Sequence, residues 1–252
     1  MKNIILSPPF GYWLLTDWAT SVVGTFTLAE RKGKWFQTIR TLRPIKGGWR
    51  NQIGLRNSGL QNESTIKRIK NLQSKQKIIL SVHASNDGEW EDMYEALNYC
   101  QLTDSVLELN VSCPNVHNTS VSTHVLELFQ NTFPTVIVKL PPILEEGMEL
   151  YRQAKEANII DFHCCNTIPT TKGGISGTPL KPLSLRMIRK IREEDTYCHI
   201  IGGGGIYTPE DVHEYMDAGV DSFSLATIFF TPWKIKKVVE EINKVSRYDK
   251  KI

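Results

Sequence analysis

The chain has 252 residues, with 40% hydrophobic and 23% charged residues and 9% aromatics. That composition excludes a disordered tail protein, a collagen-like repeat and a coiled coil, and the length suits one large domain of parallel α/β type. No apolar run approaches the roughly 18 residues of a membrane span. The opening MKNIILSPPFG holds an apolar run of three residues, Ile4-Ile5-Leu6, too short for a signal peptide, so an intracellular, cytoplasmic protein is expected. The net charge of +3 hides an asymmetry. Residues 31–86 carry 13 Lys/Arg and one acid, Glu63, for +12, which leaves −9 on the rest. Trp35, Phe36 and Trp49 are interleaved with these bases. Such a segment reads either as a surface for nucleic acid or another anion, or as a solvated face; the second is favoured.

In chain order, short apolar, β-branched runs alternate with amphipathic stretches. The runs are Asn3–Leu6, Ser21–Phe26, Ile78–Val82, Ser105–Asn110, Thr135–Leu140, Ile159–Cys164, Cys198–Ile201 and Asp221–Leu225. Between them lie helical patterns at Ser64–Leu72 (capped by Asn62), Glu89–Cys100, Thr123–Phe129, Leu144–Ala157, Leu183–Arg192, Pro209–Ala218 (Thr208 as cap, Gly219 as stop) and about Trp233–Val245. A first helix of barely two turns is expected around Leu14–Thr20. Eight strands of this kind, each followed by a helix, predict a (β/α)8 TIM barrel over residues 1–252, a single domain with a shortened first βα unit.

In such a barrel, chemistry sits where strands end. The fourth run ends in Asn110-Val111-Ser112-Cys113-Pro114-Asn115. A reachable thiol there can act as a general base, and the same residues also suit a plain turn. Lys139 ends the fifth run and needs an anion or the surface. The sixth run leads to Asn166-Thr167 and then Gly173-Gly174-Ile175-Ser176-Gly177, the seventh ends in Gly202–Gly205, and the eighth in Ala226-Thr227. Glycine turns after the last strands of a barrel commonly cradle phosphate. Together these parts suit flavin mononucleotide, which needs a phosphate nest and a cation beside its ring. Five cysteines without CxxC spacing, and no HExxH, speak against a disulfide framework or a metal site; Cys164-Cys165 reads as packing.

Glu108–Asn115, Val138-Lys139-Leu140, Gly173–Pro182 and Ile200–Ile206 resemble the dihydroorotate dehydrogenase family, in order and with similar spacing, from about Asn51 to Lys234. The resemblance implies an FMN-binding barrel that oxidises dihydroorotate to orotate in pyrimidine synthesis. It implies Cys113 as the base of a soluble, class 1-like member, taking the C5 proton while hydride leaves C6 for the flavin. Asn51, Asn110, Asn115, Asn166 and Thr167 match the residues at the orotate ring. Lys139 matches the lysine at the flavin, and Gly177, Gly204, Gly205, Ala226 and Thr227 match the turns at its phosphate. Gly24 stands where the family usually carries a lysine, and Ser7–Gly11 replaces a small-residue turn. Two other functions stay open: a flavin barrel reducing another dihydropyrimidine, such as dihydrouridine in RNA, or a catalytically decayed barrel that still binds flavin or phosphate. The expected partner is a small-molecule substrate, with nucleic acid and membrane disfavoured. Similar soluble proteins form homodimers.

Overall fold

A computed structural model describes residues 3–32, 42–112 and 120–248. Eight parallel strands close into a barrel in the order β1 (Ile4–Leu6), β2 (Thr20–Phe26), β5 (Ile78–Val82), β6 (Val106–Leu109), β7 (Thr135–Leu140), β8 (Asp161–Cys164), β10 (His199–Gly203) and β11 (Ser222–Leu225). These are the eight apolar runs of the sequence. Their continuous burial follows from closure, because one face of each strand lines the interior and the other packs under helices.

Ile5, Val22, Ile79, Ile137 and Ile201, with Val106 against them, form a separate apolar cluster, one residue from each of six strands. This cluster is the N-terminal filling of the barrel. Residues of opposite parity, such as Leu6, Val23, Leu80, Leu107, Val138, Phe162 and Phe223, belong to the larger core shared with the helices. Further along six of the inward rows stand buried polar residues, Ser7, Ser81, Glu108, Lys139, His163 and Ser224, while Gly24 and Gly203 hold the corresponding places on β2 and β10. Strand alternation of period two thus places a polar layer just below the C-terminal mouth.

The helices are α1 (Phe10–Trp13), α2 (Glu63–Gln73), α3 (Asp87–Tyr99), α4 (Thr123–Gln130), α5 (Leu144–Glu156), α6 (Lys181–Glu194), α7 (Pro209–Ala218) and α8 (Pro232–Tyr248). Asn62 caps α2 by accepting from the Ser64 N–H. Thr208 and Asp211 form a capping box on α7, and Gly219 ends it in the left-handed conformation. The first helix departs from expectation. It spans Phe10–Trp13, and Thr20 already opens β2. Packing decides its place: Phe10 stacks on Phe229 at 4.9 Å between ring centres, while Leu14 and Leu15 are exposed.

A second sheet, unforeseen from the sequence, joins β3 (Arg43–Ile45), β4 (Gly48–Asn51) and β9 (Gly174–Gly177) antiparallel. Trp49 packs on Phe230, 4.3 Å between ring centres, so this sheet is fastened to the turn after β11 at the C-terminal mouth. Most of the described bases of the long β2–β5 connection, among them Lys32, Arg43, Lys46, Arg56, Lys67, Arg68 and Lys70, are exposed, while Arg31 and Arg50 are half-buried.

Candidate active site at the barrel mouth

Lys139, Asn166, Thr167, Gly177, Gly204, Gly205, Ala226 and Thr227 line one pocket, with Ser7, Pro8, His163, Gly203 and Ser224 among its other walls. It encloses about 560 Å³ of empty space, counting its open mouth. Eight of the residues singled out in the sequence therefore converge from five separate segments of the chain. Asn110 joins them through its side chain, whose Oδ1 accepts from Asn166 Nδ2 at 2.7 Å. Asn51 stands apart from the pocket walls, at the end of β4, paired in register with Gly174. Cys113 and Asn115 lie outside the described residues.

The glycine end of the pocket has the geometry that could hold an anion. Gly205 has φ +72°, and a Cβ there would lie 2.6 Å from Thr178 Cα. Only glycine lets the turn after β10 close against the turn after β9 in this way. The buried Tyr215 hydroxyl lies 2.9 and 2.8 Å from the carbonyl oxygens of Gly203 and Gly204 and ties them away from the pocket. Among the described residues no protein acceptor takes the N–H of Gly204, Gly205 or Thr227. Unpaired N–H groups on glycine turns are the donor set a phosphate needs. On this observation the residues present fit the phosphate end of a flavin nucleotide.

The other end holds Glu108, 1% exposed, on β6. Its Oε1 sits 3.6 Å from Lys139 Nζ and accepts from Ser81 Oγ at 2.7 Å. Its Oε2 accepts from His163 Nδ1 at 2.6 Å. Burial alone would raise the Glu108 pKa; the Lys139 and His163 charges and hydrogen bonds from His163 and Ser81 outweigh it and hold the group at about 2. Burial, with the Lys139 charge, lowers the pKa of His163. Around neutral pH His163 is therefore uncharged, donates a hydrogen bond from Nδ1–H to the Glu108 carboxylate, and keeps Nε2 as an acceptor. Glu108 and His163 were not singled out as site residues in the sequence. A usable signal exists: each is a polar residue at an inward position of an otherwise apolar strand, like Lys139.

The missing strand-two cation has a steric counterpart. Gly24 has φ +123°, and a Cβ there would stand 2.4 Å from the Ser81 carbonyl oxygen of β5. No side chain fits that backbone.

The family model for dihydroorotate dehydrogenase matches residues 12–245. The chain belongs to the dihydroorotate dehydrogenase family. Membership makes it an oxidoreductase acting on a CH–CH bond, in a family that is flavin-dependent. The catalytic subunit of dihydroorotate dehydrogenase B (NAD(+)) of Oceanobacillus iheyensis is 31% identical over 227 residues, covering 79% of this chain and 72% of that protein. The Bacteroides fragilis protein of the same description is 28% identical, covering 96% of this chain and 89% of its own. Among solved structures, ligand-free dihydroorotate dehydrogenase of Eimeria tenella superposes with a TM-score of 0.76 at 18% identity, over 98% of this chain and 85% of that one. That likeness concerns the fold. Among the described residues, no helix is long and apolar enough to cross a membrane.

Proposed function

We propose that this dihydroorotate dehydrogenase family member oxidises dihydroorotate to orotate with FMN held in the mouth pocket. The observation that carries this is the single pocket shared by Lys139, Asn166, Thr167 and the glycine turns at Gly177, Gly204 and Gly205. The N–H groups of Gly204, Gly205 and Thr227 would hold the phosphate, with Gly177 and Ala226 beside them, and Lys139 would stand near the ring. When bound, FMN supplies the hydride acceptor. Cys113 takes the proton from C5 of the substrate, while Asn51, Asn110, Asn115, Asn166 and Thr167 hold the ring so that both C–H bonds break from one fixed pose. Lys139 offsets negative charge that grows as the substrate is oxidised.

The curated relatives are described as catalytic subunits of an NAD(+) enzyme. This supports NAD(+) as the final electron acceptor, reached through a further subunit. Cys113→Ala tests the base: the variant is expected to keep its flavin and bind orotate, yet lose reduction by dihydroorotate by about 10²-fold or more. Unchanged reduction would contradict the assignment.

A further inference from the structure

A line of hydrogen bonds crosses the barrel interior from Glu108 to Asn166, and its direction is fixed. A carboxylate can only accept. The Ser81 hydroxyl therefore spends its proton on Glu108 Oε1, at 2.7 Å. Ser81 Oγ is left to accept, so the Thr25 hydroxyl, 2.9 Å away, donates to it. Thr25 Oγ1 in turn accepts from Asn110 Nδ2 at 3.1 Å. Asn110 Oδ1 accepts from Asn166 Nδ2 at 2.7 Å. The second hydrogen of Asn166 Nδ2 goes to the Ser112 carbonyl at 2.8 Å, and its Oδ1 accepts the Thr167 N–H at 3.0 Å. Every donor on the line points towards Glu108.

The consequence reaches the mouth. Both amide hydrogens of Asn166 are used within the protein, so this side chain offers a ligand only its carbonyl oxygen. Among the described residues, Asn110 keeps one N–H and a lone pair on its oxygen unused. Without an acceptor-only group at the far end, the two hydroxyls could rotate and both amides could turn over together, since hydrogen bonds in a chain polarise one another.

We propose that Glu108 is a positioning residue that sets the amide orientation of Asn110 and Asn166 through the hydroxyls of Ser81 and Thr25. The mouth thereby presents one amide N–H beside carbonyl oxygens. That pattern complements a ring edge on which C=O and N–H alternate, as in the imide of a dihydropyrimidine. This inference rests on the proposed function placing both asparagines at the substrate ring. None of Glu108, Ser81 and Thr25 is assigned a contact with substrate. Their effect is indirect, and the same carboxylate also holds Lys139 and fixes the proton of His163.

The test measures orotate binding calorimetrically to the FMN-loaded protein, alongside orotate methylated on the ring nitrogen between its two carbonyls, which lacks that N–H. Thr25→Val and Ser81→Ala cut the line and leave the Glu108–Lys139–His163 contacts whole; Glu108→Gln removes its acceptor-only end. Each is expected to bind orotate about 10- to 100-fold more weakly while the methylated compound changes little, so that discrimination collapses. Glu108→Gln combined with Thr25→Val should be no more than about threefold worse than the weaker single variant, because both break one line. Losses that multiply in the double variant would overturn the proposal, as would full orotate affinity and discrimination in folded Thr25→Val. A wild-type protein that loads FMN but does not bind orotate would instead refute the substrate reading beneath it.

Discussion

Glu108 and Lys139 need each other. Removing the ammonium leaves a carboxylate buried at 1% exposure, facing a neutral histidine and a serine hydroxyl. Lys139→Met is therefore expected to cost about 3–5 kcal/mol of stability, beyond any effect on flavin, read from urea unfolding. Lys139→Met with Glu108→Gln should recover part of that loss, and a double variant less stable than Lys139→Met would contradict the pairing. The pH dependence has a definite sign. His163 is held below its ordinary pKa by burial and by Lys139, so the unfolded chain takes up this proton first. Stability should fall as pH drops below about 6.5, the ordinary histidine value. Glu108, held at about 2, adds a contribution that is complete above the ordinary carboxylate range and is lost as pH falls towards 2. His163→Asn, which keeps a donor for Glu108, should flatten the slope below about pH 6.5 in thermal unfolding. An unchanged slope would place the titration elsewhere. Much of this site was legible as single residues: Lys139, Asn166, Thr167 and the glycines meet in one pocket. Glu108 and His163 were harder to see, because their meaning lies in strand parity and in partners far apart along the chain.

At the scale of elements, all eight barrel strands appear where the apolar runs stand, since burial on both faces demands uninterrupted β-branched and aliphatic residues. The capping residues Asn62 and Thr208 and the stop at Gly219 were equally local signals. Two elements escaped for a physical reason. α1 is four residues held by ring stacking on Phe229, so tertiary contact outweighs local propensity. The β3–β4–β9 sheet pairs Gly48 with Gly177, more than a hundred residues apart, in strands of three or four residues that include Pro44 and three glycines. Neither periodicity nor propensity marks such strands. β2 shows what one glycine does to an element. The β2–β5 register shifts between Val23 and Phe26, around Gly24, whose missing Cβ admits the Ser81 carbonyl. Gly24→Ala is expected to destabilise the protein by about 2–4 kcal/mol, and Gly24→Lys to do so at least as strongly without supplying a useful cation. A stable Gly24→Lys variant with tighter substrate binding would reverse that view.

For the whole molecule, charge and fold act on different sides of the same mouth. The long basic connection between β2 and β5 also carries β4, which pairs with β9 and so borders the glycine turn that follows it. Its exposed cations suit long-range attraction of an anionic substrate. Reversing Arg43, Lys46 and Lys70 to glutamate should lower kcat/KM by about 3- to 10-fold at low salt and by much less near 1 M salt. A deficit that persists in high salt would point to direct contact. The barrel itself does not specify an activity, because this architecture carries many. What narrows it is the coincidence of an anion cradle, a buried lysine–glutamate pair and two oriented asparagines around one pocket. The most direct measurement is the visible spectrum of the purified, FMN-supplied protein under anaerobic conditions, before and after dihydroorotate. A bound flavin that bleaches on addition of dihydroorotate is the predicted result. A protein that takes up no FMN, or one whose flavin stays oxidised with dihydroorotate present, would contradict the account.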